Sequence, residues 1–102
     1  VKIDFDRVLT GLNGESIKDP RGTDIRLKDV CINALDYYGA DELLKAPGQE
    51  KYHRGQLAQR IYDASGPIEI SVEDVALLKS LTGKIYGPHV VMVVWDMLDS
   101  NN

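Results

Sequence analysis

The stretch that most constrains this chain lies near its carboxyl end, "YGPHVVMVVWDMLDSNN". Seven of the eight residues from Val91 to Leu98 are apolar, and three of them are valines. Such a run can be a buried strand, a membrane segment or a helix with a wide greasy face. The uninterrupted apolar run, Val90 to Trp95, is six residues, far short of the ~20 that span a bilayer. Pro88 is well placed at the first position of a helix, where its missing N–H costs nothing. Asp96 and Asp99 also fit a helix better than a buried strand. At 100° per residue, Val90, Val91, Val94, Trp95, Met97 and Leu98 fill an arc of about 160°, and Val93 widens it to roughly 200°. His89, Asp96, Asp99 and Ser100 take the other side, with Met92 among them. A surface helix needs a stripe of only about 100° or a little more. The helix is therefore either central to the domain or shared with a partner. In the second case Tyr86, Pro88, Met92 and Val93 form the contact patch.

With 102 residues, 43% hydrophobic and 27% charged, the chain is expected to form one domain, residues 1–102, with a core of its own. A single cysteine, Cys31, allows no internal disulfide, which fits a reducing compartment such as the cytoplasm. The amino end shows no basic-then-apolar leader pattern. The chain opens on Val1, as would a trimmed chain or a literally recorded GTG start, the latter pointing to a bacterial or phage source.

The fold expected is α+β: a short amino-terminal antiparallel meander packed against three to four helices. Residues 2–27 read as three strands. Ile3 and Phe5 alternate with charges. Asn13-Gly14 predicts a type I′ hairpin turn, and "DPRG" a second turn before "TDIRL". No internal repeat is apparent. A helix over Lys28–Tyr38 buries Leu27, Val30, Cys31, Ala34, Leu35 and Tyr38, with Gly39 placed for a left-handed cap. "DELLKA" adds a possible turn. A second helix, Gln49–Ala64, has a thin apolar face of Leu57, Ala58, Ile61 and Tyr62, weakened by Gly55. "PIEIS" reads as a strand. Ser71 then caps a third helix with Asp74 at its third position, an Ile70–Val75 staple, and a buried stripe of Val75, Leu78, Leu81 and Ile85. Gly87 is placed to end it.

Chemistry-bearing sets are sparse. Cys31 lies on an apolar stripe and reads as core. His53 and His89 have no Cys, Asp or Glu at i+3 or i+4, so no metal site is expected, and no cofactor motif occurs. Asp41-Glu42 and Glu73-Asp74 are adjacent pairs whose members do not face one another. "GLNG" lacks the strand–loop–helix setting of a phosphate cradle. A cationic set does occur, Lys51, His53, Arg54 and Arg60 following Lys45. It predicts a possible contact with an anionic partner on helix 49–64. The net charge of −4 argues mildly against nucleic acid as the main partner. A helix-turn-helix reading of the last two helices fails because the second carries no polar base-reading face.

"LNGESIKDPRGTDIRLKDVCINAL", "EKYHRGQLAQRIYDA" and "ISVEDVALLKSLTGKIYGPHVV" together resemble blocks of small proteins encoded in tailed-phage and prophage genomes. The group has no assigned activity, so the resemblance implies a source and no active residues. In that pattern a Gly and a Gln follow "GP-x-VV", where this chain has Met92 and Val93. The function expected is non-enzymatic: a phage or prophage accessory protein acting through a protein partner or self-association, with no membrane role. The alternative is a nucleic-acid-associated regulator using the basic helix.

Overall fold

The computed structural model describes residues 1–99; Ser100, placed above on the polar side of the last helix, lies outside them. Strand β1 (Lys2–Ile3) pairs antiparallel with β2 (Ile68–Glu69), and helices α1 (Leu27–Asp36), α2 (Ala40–Lys45), α3 (Gly48–Asp63), α4 (Val72–Ile85) and α5 (Pro88–Asp99) complete the fold. Helix α1 packs against both α3 and α4, and α5 lies on α4. The architecture is thus α+β but mostly helical, with a minimal sheet.

The expected meander is smaller than its sequence pattern suggests. Its first strand pairs with β2 rather than with the hairpins, in the register Lys2↔Glu69 and Ile3↔Ile68. Strand pairing within residues 8–26 is reduced to isolated antiparallel bridges. What joins them is a closed ring of three backbone hydrogen bonds. Leu9 N–H donates to Ile25 O (2.8 Å), Ile25 N–H to Ile17 O (2.9 Å) and Ile17 N–H to Leu9 O (2.9 Å). Each residue donates once and accepts once, so three extended segments meet with few ladder bonds between them.

The links between ring residues are two copies of one turn, eight residues apart, which corrects the expectation of no repeat. Gly11 N–H donates to Glu15 O and Gly14 N–H to Gly11 O; Asp19 N–H donates to Thr23 O and Gly22 N–H to Asp19 O. Gly14 and Gly22 alone in this region have positive φ, +80° and +83°. The Asn13-Gly14 turn is therefore not type I′, which needs two such residues. It is a three-residue loop with Gly in the left-handed bulge position. Asn13 Oδ1 accepts from Glu15 N–H, and Asp19 Oδ1 from Arg21 and Thr23 N–H, so side chains hold both loops.

The core joins Ile3, Phe5 and Leu9 to the stripes of the helices: Leu27, Cys31 and Leu35 from α1, Leu57 and Ile61 from α3, Leu78 from α4, Val94 and Leu98 from α5. The start of α4 follows its sequence signal, with Ser71 Oγ accepting from Asp74 N–H at 3.1 Å. Pro88 opens α5 as expected. Gly87 keeps a negative φ, and its carbonyl accepts from Val91 N–H as the new helix begins. Tyr62, assigned above to the apolar face of α3, is exposed.

Helix α1 ends differently from the sequence expectation. Gly39 is not left-handed (φ −63°) and caps α2 instead. Arg54 of α3 closes α1. Its Nε donates to Leu35 O (2.9 Å) and its Nη2 to Ala34 O (3.2 Å) and Tyr37 O (2.8 Å). The guanidinium stacks on the Tyr38 ring at 3.9 Å. Arg54 is only 6% exposed. A cation at a helix carboxyl end satisfies orphan carbonyls and meets the negative end of the dipole. Arg54→Met should lower unfolding free energy by about 3 kcal/mol, since charge-assisted buried bonds are lost and three carbonyls go unmet. Arg54→Lys should recover little of it, because a point charge cannot serve three directions. Urea melts of the two variants check both statements.

Asp6 ties the amino segment to α1. Its carboxylate pairs with Lys28 at 3.0 Å and accepts from Gly66 N–H at 3.4 Å. These contacts, Lys28 first, hold its pKa below the usual aspartate value. A depressed carboxylate stabilises the fold above its unfolded pKa, and that contribution is lost as pH falls through the folded one. Asp6→Asn should therefore lower the urea midpoint at neutral pH. The gap from wild type should close once pH drops below the ordinary aspartate range.

Candidate protein-binding site

The hairpin ring, α1 and the α4–α5 corner enclose a groove of about 450 Å3. Its floor is apolar, from Leu9, Ile17, Ile25, Val30 and Val90. Tyr86 closes one end, and its hydroxyl accepts from Asn33 Nδ2 at 2.7 Å. Burial raises the Tyr86 pKa above that of an ordinary phenol, so the hydroxyl stays neutral. The polar lining is Asp19, Asp24 and Asp29 with Arg21, and two of the carboxylates are ion-paired, Asp19 with Arg21 and Asp24 with Lys18. Asp19 is held below the usual carboxylate range, first by the Thr23 N–H, and Asp24 first by Lys18. Both are therefore charged at neutral pH. An apolar floor with a charged, largely ion-paired rim has the composition of a pocket for a side chain or short segment of another protein.

The four residues expected to form one patch are divided between surfaces. Tyr86 belongs to the groove with Val90. Val93 is partly buried against the core, as are Tyr86 and Val90. Pro88 is exposed, and Met92 is 48% exposed, both on the side of α5 turned away from its buried Val94, Met97 and Leu98. Helix α5 is thus an edge helix, gripped on one side. Trp95, counted above in the apolar arc, lies at its boundary, 38% exposed. Its indole lies against Gly83 and its Nε1 donates to Lys79 O at 3.1 Å. A Cβ on Gly83 would come within 3.2 Å of the ring. Lys79 also pairs with Asp99 at 2.7 Å, which fixes α5 to α4 along its polar edge.

The basic set on α3 divides: Arg54 is withdrawn into the core, while His53 and Arg60 stay exposed and line one cleft with Gln56. Arg54 is buried as the cap of α1. Arg60 Nη2 donates to Glu69 O at 2.8 Å. His53 Nε2 lies 2.7 Å from Asp74 Oδ1, a long-range partner that local spacing could not reveal. Lys51 is exposed, and its ammonium makes no ion pair among the described residues. The His53–Asp74 pair lines a cleft of about 400 Å3 with Gln56, Gln59, Arg60 and Asp63, whose lining holds no hydroxyl or thiol that a His–Asp pair would activate. No group of three or more His, Cys, Asp or Glu among the described residues is arranged to hold a metal ion, and no described helix is long and apolar enough to cross a membrane.

Sequence reasoning missed the groove because its floor comes from ring residues eight apart. That spacing, Leu9–Ile17–Ile25 with Gly14–Gly22 between, was the available signal. It missed Asn33 because an exposed amide on a helix has no pattern of its own. Comparison with family models, with curated proteins and with solved structures returned no match. Cys31 sits fully buried on α1, where desolvation pushes its thiol up to about 12. Native protein should leave Cys31 unlabelled by a thiol reagent at neutral pH, while protein unfolded in guanidinium should label fully. Labelling at equal rates in both states would remove Cys31 from the core.

Proposed function

We propose that this protein is a non-enzymatic binding module that recognises another protein through the groove between its hairpin ring, α1 and the α4–α5 corner. The observation that carries this reading is the composition of the groove: an apolar floor, a neutral Tyr86–Asn33 pair, and a rim of Asp19, Asp24, Asp29 and Arg21 in which Asp19 and Asp24 are ion-paired. On the phage resemblance, the module is an accessory protein and its partner a host or phage protein. The outer face of α5, where Pro88, Met92 and Trp95 are exposed, takes a secondary place because it is convex. The nucleic-acid alternative is weaker because Arg54 is buried as the cap of α1 and the exposed His53 lies beside the Asp74 carboxylate.

The test compares two surface variants against a partner once that partner is purified. Asn33→Arg places a bulky cation at the groove's end; Met92→Asp alters the opposite face of α5. Binding should fall by at least roughly tenfold, about 1.4 kcal/mol, for Asn33→Arg and stay near wild type for Met92→Asp. Amide exchange should slow at residues 17–25 and 86–90 in the complex. Equal binding by wild type and Asn33→Arg would place the contact elsewhere.

A further inference from the structure

The first hairpin loop sets side by side two groups that react with one another. Asn13 is followed by Gly14, and both are exposed. Asn33, by contrast, is followed by Ala34 inside α1, where its Nδ2 donates to the Tyr86 hydroxyl. A backbone nitrogen that has lost its proton can attack the side-chain amide carbon of an asparagine just before it. A side chain on the attacking residue hinders that approach, and glycine has none. Beyond its chain neighbours, no atom lies within 4 Å of where a Cβ on Gly14 would stand, so the pair is open to water. The closed loop engages both groups elsewhere. Gly14 N–H donates to Gly11 O at 3.0 Å, which retains the proton on the attacking nitrogen. Asn13 Oδ1 accepts from Glu15 N–H at 3.1 Å, and its Nδ2 donates to Glu15 Oε2 at 3.4 Å. The target amide is thus held by Glu15.

We propose that Asn13 is a deamidation site gated by this loop, converting to an acid when the turn from Gly11 to Glu15 opens. In the open loop Gly14 N gives its proton to solvent base and bonds to Asn13 Cγ. The Cγ–Nδ2 bond breaks, and Nδ2 takes a proton from solvent and leaves as ammonia. The product is a cyclic imide closed between the Asn13 side chain and Gly14 N. Water then adds to one of the two imide carbonyls. Opening on the Cγ side leaves aspartate; opening on the backbone side leaves isoaspartate, with Cγ now in the main chain. Water is the co-reactant, and nothing is oxidised or reduced. The isoaspartyl form lengthens the main chain of a three-residue loop. The Gly11–Glu15 pairing then loses its register, and with it the next bond of the ring, Ile17 N–H to Leu9 O.

The experiment incubates the full chain at mildly alkaline pH, folded in buffer and unfolded in guanidinium. Peptide mapping follows acid at position 13, and enzymatic methylation reads isoaspartate. The unfolded chain should convert about tenfold faster than the folded one, the factor that two net hydrogen bonds set on opening the loop. In the unfolded chain Asn13 should convert well ahead of Asn33. Asn13→Gln should remove the signal, because its longer side chain would have to close a larger ring. In the isolated isoaspartyl form the Ile17 amide should exchange faster than in the parent, and the amide of Leu78, buried on α4, at the same rate. The proposal is overturned by equal conversion in the two states, or by Asn33 converting as fast as Asn13 in the unfolded chain. It is also overturned by an unchanged Ile17 amide in the isoaspartyl product. Folded-state conversion that only keeps pace with exchange of the Leu78 amide overturns it too, since that rate reports global unfolding rather than loop opening.

Discussion

The packing of this protein depends on a guanidinium at the end of a helix. Helix α1 is the element that both α3 and α4 pack against, so its end point sets where the chain can turn back. It has no basic residue in its last turn and no left-handed glycine to fold its final carbonyls inward. Arg54 supplies donors from the neighbouring helix instead. The consequence is geometric as well as energetic. A planar fork that serves Ala34, Leu35 and Tyr37 at once admits one axial position of α3 along α1. Hydrophobic contacts between Leu35, Leu57 and Ile61 would tolerate sliding; the fork does not. Tyr38 packs its ring against the cation's face, and its hydroxyl donates to Glu50 at 3.0 Å, which ties the following chain to the same anchor.

The hairpin ring solves a different problem. A two-stranded sheet of two-residue strands cannot stand alone, and the core needs a lid over Phe5, Leu9 and Leu27. Three extended segments joined by a cycle of hydrogen bonds give that lid with few paired residues. The cycle is then bolted to α1, since Leu27 N–H donates to Arg7 O and Lys28 N–H to Phe5 O, and Arg26 Nη1 reaches Asp6 O at 2.6 Å. The first-turn donors of α1 are met by the segment that precedes the ring. Because the ring presents Ile17 and Ile25 partly to solvent beside Val30 and Val90, the same device that covers the core builds the apolar floor of the groove.

Much of the helical frame was legible in the residues themselves. Ser71 with Asp74, Pro88 after Gly87, and the stripes of α1 and α4 each carry a local physical signal, and each stands where that signal put it. The features that failed were non-local. Asn-Gly reads as type I′ only if the flanking residues pair directly; here Gly11 and Glu15 pair across a three-residue loop, and one glycine suffices. Gly39 follows a helix end and invites a left-handed cap, but a side chain nineteen residues away had already met those carbonyls. Arg54 itself was readable in part. Counted from it, Leu57, Ala58 and Ile61 fall at the 3, 4 and 7 spacing of one face, so a basic residue was sitting on the buried stripe. Its charge suggested a solvated contact; its position argued for burial, and position prevailed because unmet carbonyls stood opposite.

The greasy last helix resolves by the same reasoning. Its apolar arc is wider than one flank can bury, yet α5 is not central. Val94, Met97 and Leu98 enter the core, Val90 and Val93 follow partway, and Trp95 lies flat over Gly83 where any other residue on α4 would push it outward. The surplus is divided: Val90 and Tyr86 feed a concave groove, while Met92 faces out with Pro88 and the edge of Trp95. If the proposed groove is the binding site, concavity is what sets it above the other half. Apolar surface in a groove is desolvated from several sides by one entering side chain, whereas a methionine on a convex helix face can be covered only by a flat partner that also desolvates Asp96 and Asp99 beside it. Under the proposed function, the cost of those carboxylates sets the convex face of Pro88, Met92 and Trp95 second to the groove, and the apolar surplus of α5 serves the corner it makes with α4.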